Sequence, residues 1–140
     1  MSAGSFFQEL TIACMVDTKL LVIDDDEPIL RLIAAIGKNC GLKVQATSVP
    51  KDFLHILDTD APDIVVLDLV MAKFDGIEVL KRMNEEQVEA GIILISGADQ
   101  SLLDRASKLA EAWGLNVLAA FTKPLDPVLI ETAFREAIKT

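Results

Sequence analysis

Hydrophobic positions along this chain follow two different spacings. Three short runs, KLLVI at 19–23, DIVVL at 63–67 and GIILI at 91–95, lack the alternating polar positions of a half-exposed strand. They read as parallel strands buried on both faces. Two further segments, LKVQAT at 42–47 and NVLAAFT at 116–122, have strand length and composition and follow Gly41 and Gly114, which read as helix stops. Between the strands the spacing becomes helical: Ile29, Leu32, Ile33 and Ile36 after Pro28; Phe53, Leu54, Ile56 and Leu57 after Pro50; then Ile77, Leu80 and Met83. A fourth helix carries Leu102, Ala106, Leu109 and Trp113 on one stripe opened by Ser101-x-x-Asp104, and a fifth opens at Asp126-Pro127 and carries Leu129, Ile130, Phe134 and Ile138.

Each predicted strand is thus followed by one helix. Strict alternation with right-handed crossovers predicts an α/β fold, a flavodoxin-like, doubly wound, five-stranded parallel sheet of order 2-1-3-4-5 with helices on both faces. The chain has 140 residues, enough for one sizeable core and hardly for a second. Residues 18–140 are therefore read as one domain, preceded by a lead-in at 1–17 and containing no output domain.

Composition narrows the chemistry. At 51% hydrophobic and 25% charged residues with five prolines, the chain is of the kind that packs a core. A formal charge of −9 with no Lys/Arg cluster argues against direct binding to nucleic acid or an anionic membrane surface, and for a cation or a protein as partner. Cys14 and Cys40 show no metal-binding spacing and read as buried thiols of a reducing cytoplasm. The apolar stretch SFFQELTIACMV at 5–16 has no basic start, contains Glu9 and is too short to span a bilayer. One reading makes residues 1–14 a short helix used in pairing.

In a sheet of this kind ligands bind beyond the carboxyl ends of the strands, where strand order reverses. The residues predicted there are Asp24, Asp25, Asp26 and Glu27 after strand one, Asp68 after strand three, Ser96 after strand four, and Thr122, Lys123 and Pro124 after strand five. Two carboxylates about 4 Å apart repel by roughly 4 kcal/mol at an effective dielectric constant of about 20, so the cluster calls for a cation. Carboxylates, a carbonyl and waters are the ligands magnesium takes, and a hydrated Mg2+ is the expected cofactor. With the metal and Lys123 as counter-charges, the Asp68 carboxylate can attack phosphorus in line, while Ser96 and Lys123 hold the equatorial oxygens. Asp26 and Glu27 read equally as helix-start acids, and His55 is assigned no role.

The strings LLVIDDDEPI at 20–29 and PDIVVLDLVM at 62–71, with Gly76, Ser96 and Lys123-Pro124, resemble the receiver domains of two-component response regulators. The resemblance covers residues 18–140. It implies that Asp24 and Asp25 serve the metal, Asp25 directly, that the Val70 backbone carbonyl is a further ligand, and that Asp68 is the phosphoacceptor. It also implies that Ser96 and Lys123 contact the phosphoryl group and that the peptide bond before Pro124 is cis. The expected partners are a sensor histidine kinase or phosphotransfer protein, an output domain outside this chain, and a second copy in a homodimer. The segment at 94–127 also resembles receivers joined to EAL-type cyclic-di-GMP phosphodiesterases.

Three departures qualify the resemblance. Ala72 stands where proline is usual, which bears on the rigidity of the loop after Asp68. Ala120 stands where many receivers have an aromatic switch residue, and Phe121, one step later, points to the opposite face and reads as core. The lead-in at 1–17 is the third. Rival readings are a haloacid-dehalogenase-like phosphatase using Asp24-x-Asp26, which leaves Asp68 unexplained, an unphosphorylated binding module of the same fold, and a flavodoxin, whose phosphate loop four acids would repel.

Overall fold

The computed structural model describes residues 17–97 and 99–139. The lead-in, apart from Asp17, lies outside the described residues, and with it Cys14 and the short pairing helix. Five parallel strands form the sheet: β1 (Lys19–Ile23), β2 (Lys43–Thr47), β3 (Ile64–Asp68), β6 (Gly91–Ser96) and β7 (Asn116–Thr122). Their order is β2-β1-β3-β6-β7, the expected 2-1-3-4-5. A two-stranded antiparallel hairpin, β4 (Val70–Met71) and β5 (Phe74–Asp75), follows β3 and has no counterpart among the predicted elements. The turn between its strands, Ala72-Lys73, has none of the glycine, proline or asparagine that normally announces one.

The five helices are α1 (Glu27–Asn39), α2 (Pro50–Asp60), α3 (Gly76–Glu85), α4 (Gln100–Ala112) and α5 (Pro127–Lys139). Alternate residues of the central strands feed two cores. Leu21, Ile23, Val65, Leu67, Ile92 and Leu94 pack under α2, α3 and α4, with Phe53, Leu80 and Leu103 from those helices. Leu20, Val22, Ile64, Val66, Ile93 and Ile95 face α1 and α5, with Ile33 and Phe134. Burial on both faces explains why β1, β3 and β6 are nearly continuous apolar runs. Each fully buried leucine or isoleucine contributes about 1.5–3 kcal/mol of transfer free energy. Gly41 and Gly114, just past α1 and α4, take φ of 86° and 82°, the left-handed stop that only glycine adopts without strain.

Local details differ from the expected pattern. Pro50 opens α2, but Pro28 is the second residue of α1, behind Glu27. Helix α4 is capped by Asp99, whose side chain accepts from the Leu102 N–H at 3.1 Å, so Ser101 lies inside the helix and not at its cap. Its buried stripe is Leu103, Ala106 and Ala110. Leu102 and Trp113 pack against the core only in part, and Leu109 is exposed. Cys40 is half-buried rather than buried.

Strand β7 carries one extra residue: Ile92 pairs with Val117 and Ile93 with Ala119, leaving Leu118 as a bulge. Beyond the bulge Ala120 packs on the α4 side and Phe121 on the α1/α5 side, as expected for Phe121. The bulge has room because position 91 is glycine. A methyl there would stand 2.5 Å from Leu118 Cδ1.

Candidate functional site

Adjacent central strands deliver the acids. Ile23 of β1 pairs with Leu67 of β3, so the next residues, Asp24 just past β1 and Asp68 at the end of β3, stand side by side. Both are fully buried, and Asp25 is exposed at the rim. One carboxylate oxygen from each of Asp24, Asp25 and Asp68 can be chosen so that all three lie within 4.8 Å of one another, a set able to hold a metal ion.

Lys123, in the turn after β7, reaches into this cluster. Its Nζ lies 3.0 Å from Asp24 Oδ2 and 3.2 Å from Asp68 Oδ2, and donates to Asp24 Oδ1 at 3.2 Å. Backbone donors complete part of the shell: the Asp26 N–H donates to Asp24 Oδ1 at 2.9 Å, and the Val70 N–H to Asp68 Oδ1 at 3.1 Å. One ammonium does not balance three carboxylates. Asp24 Oδ2 is buried with no hydrogen-bond donor aligned on it, only the charge of Lys123 nearby. An oxygen so placed fits a cation, since a buried polar atom left without a donor is costly.

The electrostatics follow from burial. Loss of water, reinforced by the charge of Asp24, pushes the Asp68 carboxyl up to about 6, against the opposing pull of the Val70 N–H and Lys123. For Lys123 burial works downward, but hydrogen bonds and charges from Asp24 and Asp68 outweigh it and leave the ammonium raised above its ordinary value. Asp68 is therefore ionised at neutral pH, held between a like charge and a firmly protonated lysine.

Ser96 is the last residue of β6 and is fully buried. Its carbonyl accepts from the Lys123 N–H at 2.9 Å, which ties the serine to the turn carrying the lysine. The Lys123–Pro124 peptide bond is cis, as expected. Val70 stands two residues after Asp68 and is exposed. Asp26 is the N-cap of α1, its carboxylate accepting from the Ile29 N–H at 3.4 Å, with Glu27 in the first turn. Asp26 thus has the helix-start role that the sequence also allowed it. His55 is exposed on α2.

A family model described as response regulator receiver domain matches residues 20–135. The chain belongs to this family. Among similar receivers of known structure, a response regulator from Colwellia psychrerythraea is 32% identical, with a TM-score of 0.73 over 87% of this chain and 97% of that one. Sporulation initiation phosphotransferase F of Bacillus subtilis is 30% identical over 80% of this chain and 86% of its own length. The alkaline phosphatase synthesis transcriptional regulatory protein PhoP of Bacillus subtilis is 33% identical over 59% of this chain. This receiver spans 34% of PhoP and 51% of another regulator it matches. Membership implies a signalling role rather than that of a conventional enzyme. The resemblance of residues 94–127 to EAL-linked receivers is not shown by these similarities. No helix among the described residues is long and apolar enough to cross a membrane.

Proposed function

We propose that Asp68 is the phosphoacceptor of this receiver and that Asp24, Asp25, Asp68 and the Val70 carbonyl hold Mg2+. The observation that carries the reading is a buried Asp68 flanked by Asp24, Asp25 and the Lys123 ammonium, with one buried oxygen of Asp24 met by no aligned hydrogen bond and only by the Lys123 charge. Magnesium, when bound, supplies positive charge to the carboxylates and to the equatorial phosphoryl oxygens.

The chain's own residues do the rest. A sensor histidine kinase or a phosphotransfer protein offers a phosphohistidine. An Asp68 oxygen forms the new O–P bond as the N–P bond breaks, and the departing imidazole nitrogen keeps the electron pair and takes a proton. Lys123 follows the negative charge from the carboxylate to the phosphoryl oxygens, and the Ser96 hydroxyl donates to another of them. Even pushed up to about 6, the Asp68 carboxyl is mostly ionised, hence nucleophilic, at neutral pH.

The added charge of about −1.5 to −2 then biases a two-state equilibrium. With Ala120 in place of an aromatic switch, the loop after Ser96 and helix α4 carry the change toward α5, to a partner, an output domain or a second copy. The setting is the reducing cytoplasm, and residues 1–17 remain a lead-in to the domain at 18–140.

Intact mass after incubation with acetyl phosphate, with and without Mg2+, tests the reading on the wild type and Asp68→Ala. The expected result is a single phosphoryl adduct that requires both magnesium and Asp68. No adduct on a folded wild type would favour the unphosphorylated binding module.

A further inference from the structure

We infer that Phe74 is a positioning residue for the proposed metal site: its ring, set against Phe53, holds the β4–β5 hairpin whose first residue, Val70, would present the ligand carbonyl. The inference rests on the proposed reading of Val70 as a ligand.

The turn itself is poorly specified. Val70 pairs with Asp75 and Met71 with Phe74, which leaves the two-residue loop Ala72-Lys73. Lys73 takes a left-handed φ of 63° and Ala72 does not, the φ signs of a type II turn. Such a turn favours proline at its first central position and glycine or asparagine at its second. Alanine presets no backbone angle, and lysine carries the steric penalty of the left-handed region. A ladder of two residue pairs has no independent stability.

Tertiary contacts must therefore hold the hairpin. Its ends are fixed by close packing: a methyl on Gly76 would stand 2.8 Å from Leu69 Cα, and the Asp75 side chain caps α3 by accepting from the Ile77 N–H at 2.9 Å. At the turn, Met71 is buried in the core, and Phe74 sets its ring edge-on to Phe53, centroids 5.9 Å apart and planes at 80°. This geometry is favourable for an aromatic pair beyond its buried area. Phe53 is fully buried on α2, so the pair links the turn to the core. Beside Phe74 runs an open groove of about 450 Å³, lined by Leu54, Lys73, Glu78 and Arg82 among others, into which the turn can relax if the ring is removed.

The test compares wild type, Phe74→Leu, Phe74→Ala and Phe74→Ala/Ala72→Pro, all confirmed folded by thermal melts. Two quantities are read on unphosphorylated protein: the Mg2+ dissociation constant by calorimetry, and amide exchange of Val70 and Met71 without metal. Phe74→Ala is expected to weaken Mg2+ binding roughly tenfold, as loss of a supporting residue does, and to speed that exchange. Phe74→Leu is expected to fall between, and Ala72→Pro to recover about two- to fivefold by presetting the turn. Unchanged Mg2+ affinity in Phe74→Ala overturns the inference while leaving the metal site intact. The absence of any Mg2+ binding by the wild type overturns the metal reading itself, and the inference with it. Loss of affinity without faster exchange, or without recovery by Ala72→Pro, assigns the effect to general packing and also overturns it.

Discussion

Lys123 Nζ lies 3.0 Å from Asp24 Oδ2, joining two residues 99 positions apart at the open end of the sheet. The same ammonium serves Asp68, so one cation on β7's turn holds together acids from two different strands. In the absence of metal, this contact is the main compensation for the buried negative charge.

Replacing Lys123 with methionine keeps most of the side-chain volume and removes that charge. Metal-free Lys123→Met should be less stable than wild type by roughly 3 kcal/mol, because it leaves buried carboxylates unpaired. Urea unfolding in EDTA measures this. Millimolar Mg2+ should return part of the loss, by mass action on the folded state.

The Asp68 carboxyl titrates at about 6 in the folded protein, against about 3.9 in an unfolded chain. A pKa raised by folding means that the contribution is fully present below about pH 4 and is lost as pH rises through 6. Without metal, Asp68→Asn should therefore match wild type near pH 4 and exceed it by about 1–3 kcal/mol at pH 7.5. Adding Mg2+ should reverse the order. Unfolding curves across that pH range, with and without Mg2+, decide the matter, and an asparagine variant less stable than wild type at pH 7.5 in EDTA would contradict the assigned burial.

Gly91→Ala places a methyl 2.5 Å from Leu118 Cδ1 and 2.9 Å from its Cγ. Overpacking of this kind should cost about 1–3 kcal/mol. In a Leu118→Ala background the same substitution should cost well under half as much, and a double-mutant cycle from urea melts reads the coupling.

Asp99 caps α4 three residues beyond Ser96, and the Leu102 N–H, with the Ser101 hydroxyl, holds its carboxyl below the usual range. Asp99→Ala should fray the first turn of α4, seen as faster amide exchange at Leu102. Because the pKa is depressed, the contribution exists above the unfolded value and is lost as pH falls through the folded one. The difference between wild type and variant should fade on acidification.

How much of this was written in the chain differs from element to element. Three apolar runs buried on both faces, each ending in an acid or hydroxyl residue, determined the strands, their order and the identity of Asp24, Asp68 and Ser96 as strand-end groups. That was legible because strand burial and βα alternation are local patterns governed by simple periods. Tertiary structure alone decided how close the acids stand, which oxygen lacks a donor, and that burial drives the Asp68 carboxyl upward. These properties depend on distances between residues remote in sequence and on exclusion of water. The same holds for features without a local signal. The Ala72-Lys73 turn has no turn-forming residue and exists through Phe74 and its neighbours in the core. Glycine at 91 on the next strand leaves the Leu118 bulge its space, and the cap of α4 is Asp99 rather than Ser101, with the Asp99 carboxylate accepting from the N–H of Leu102.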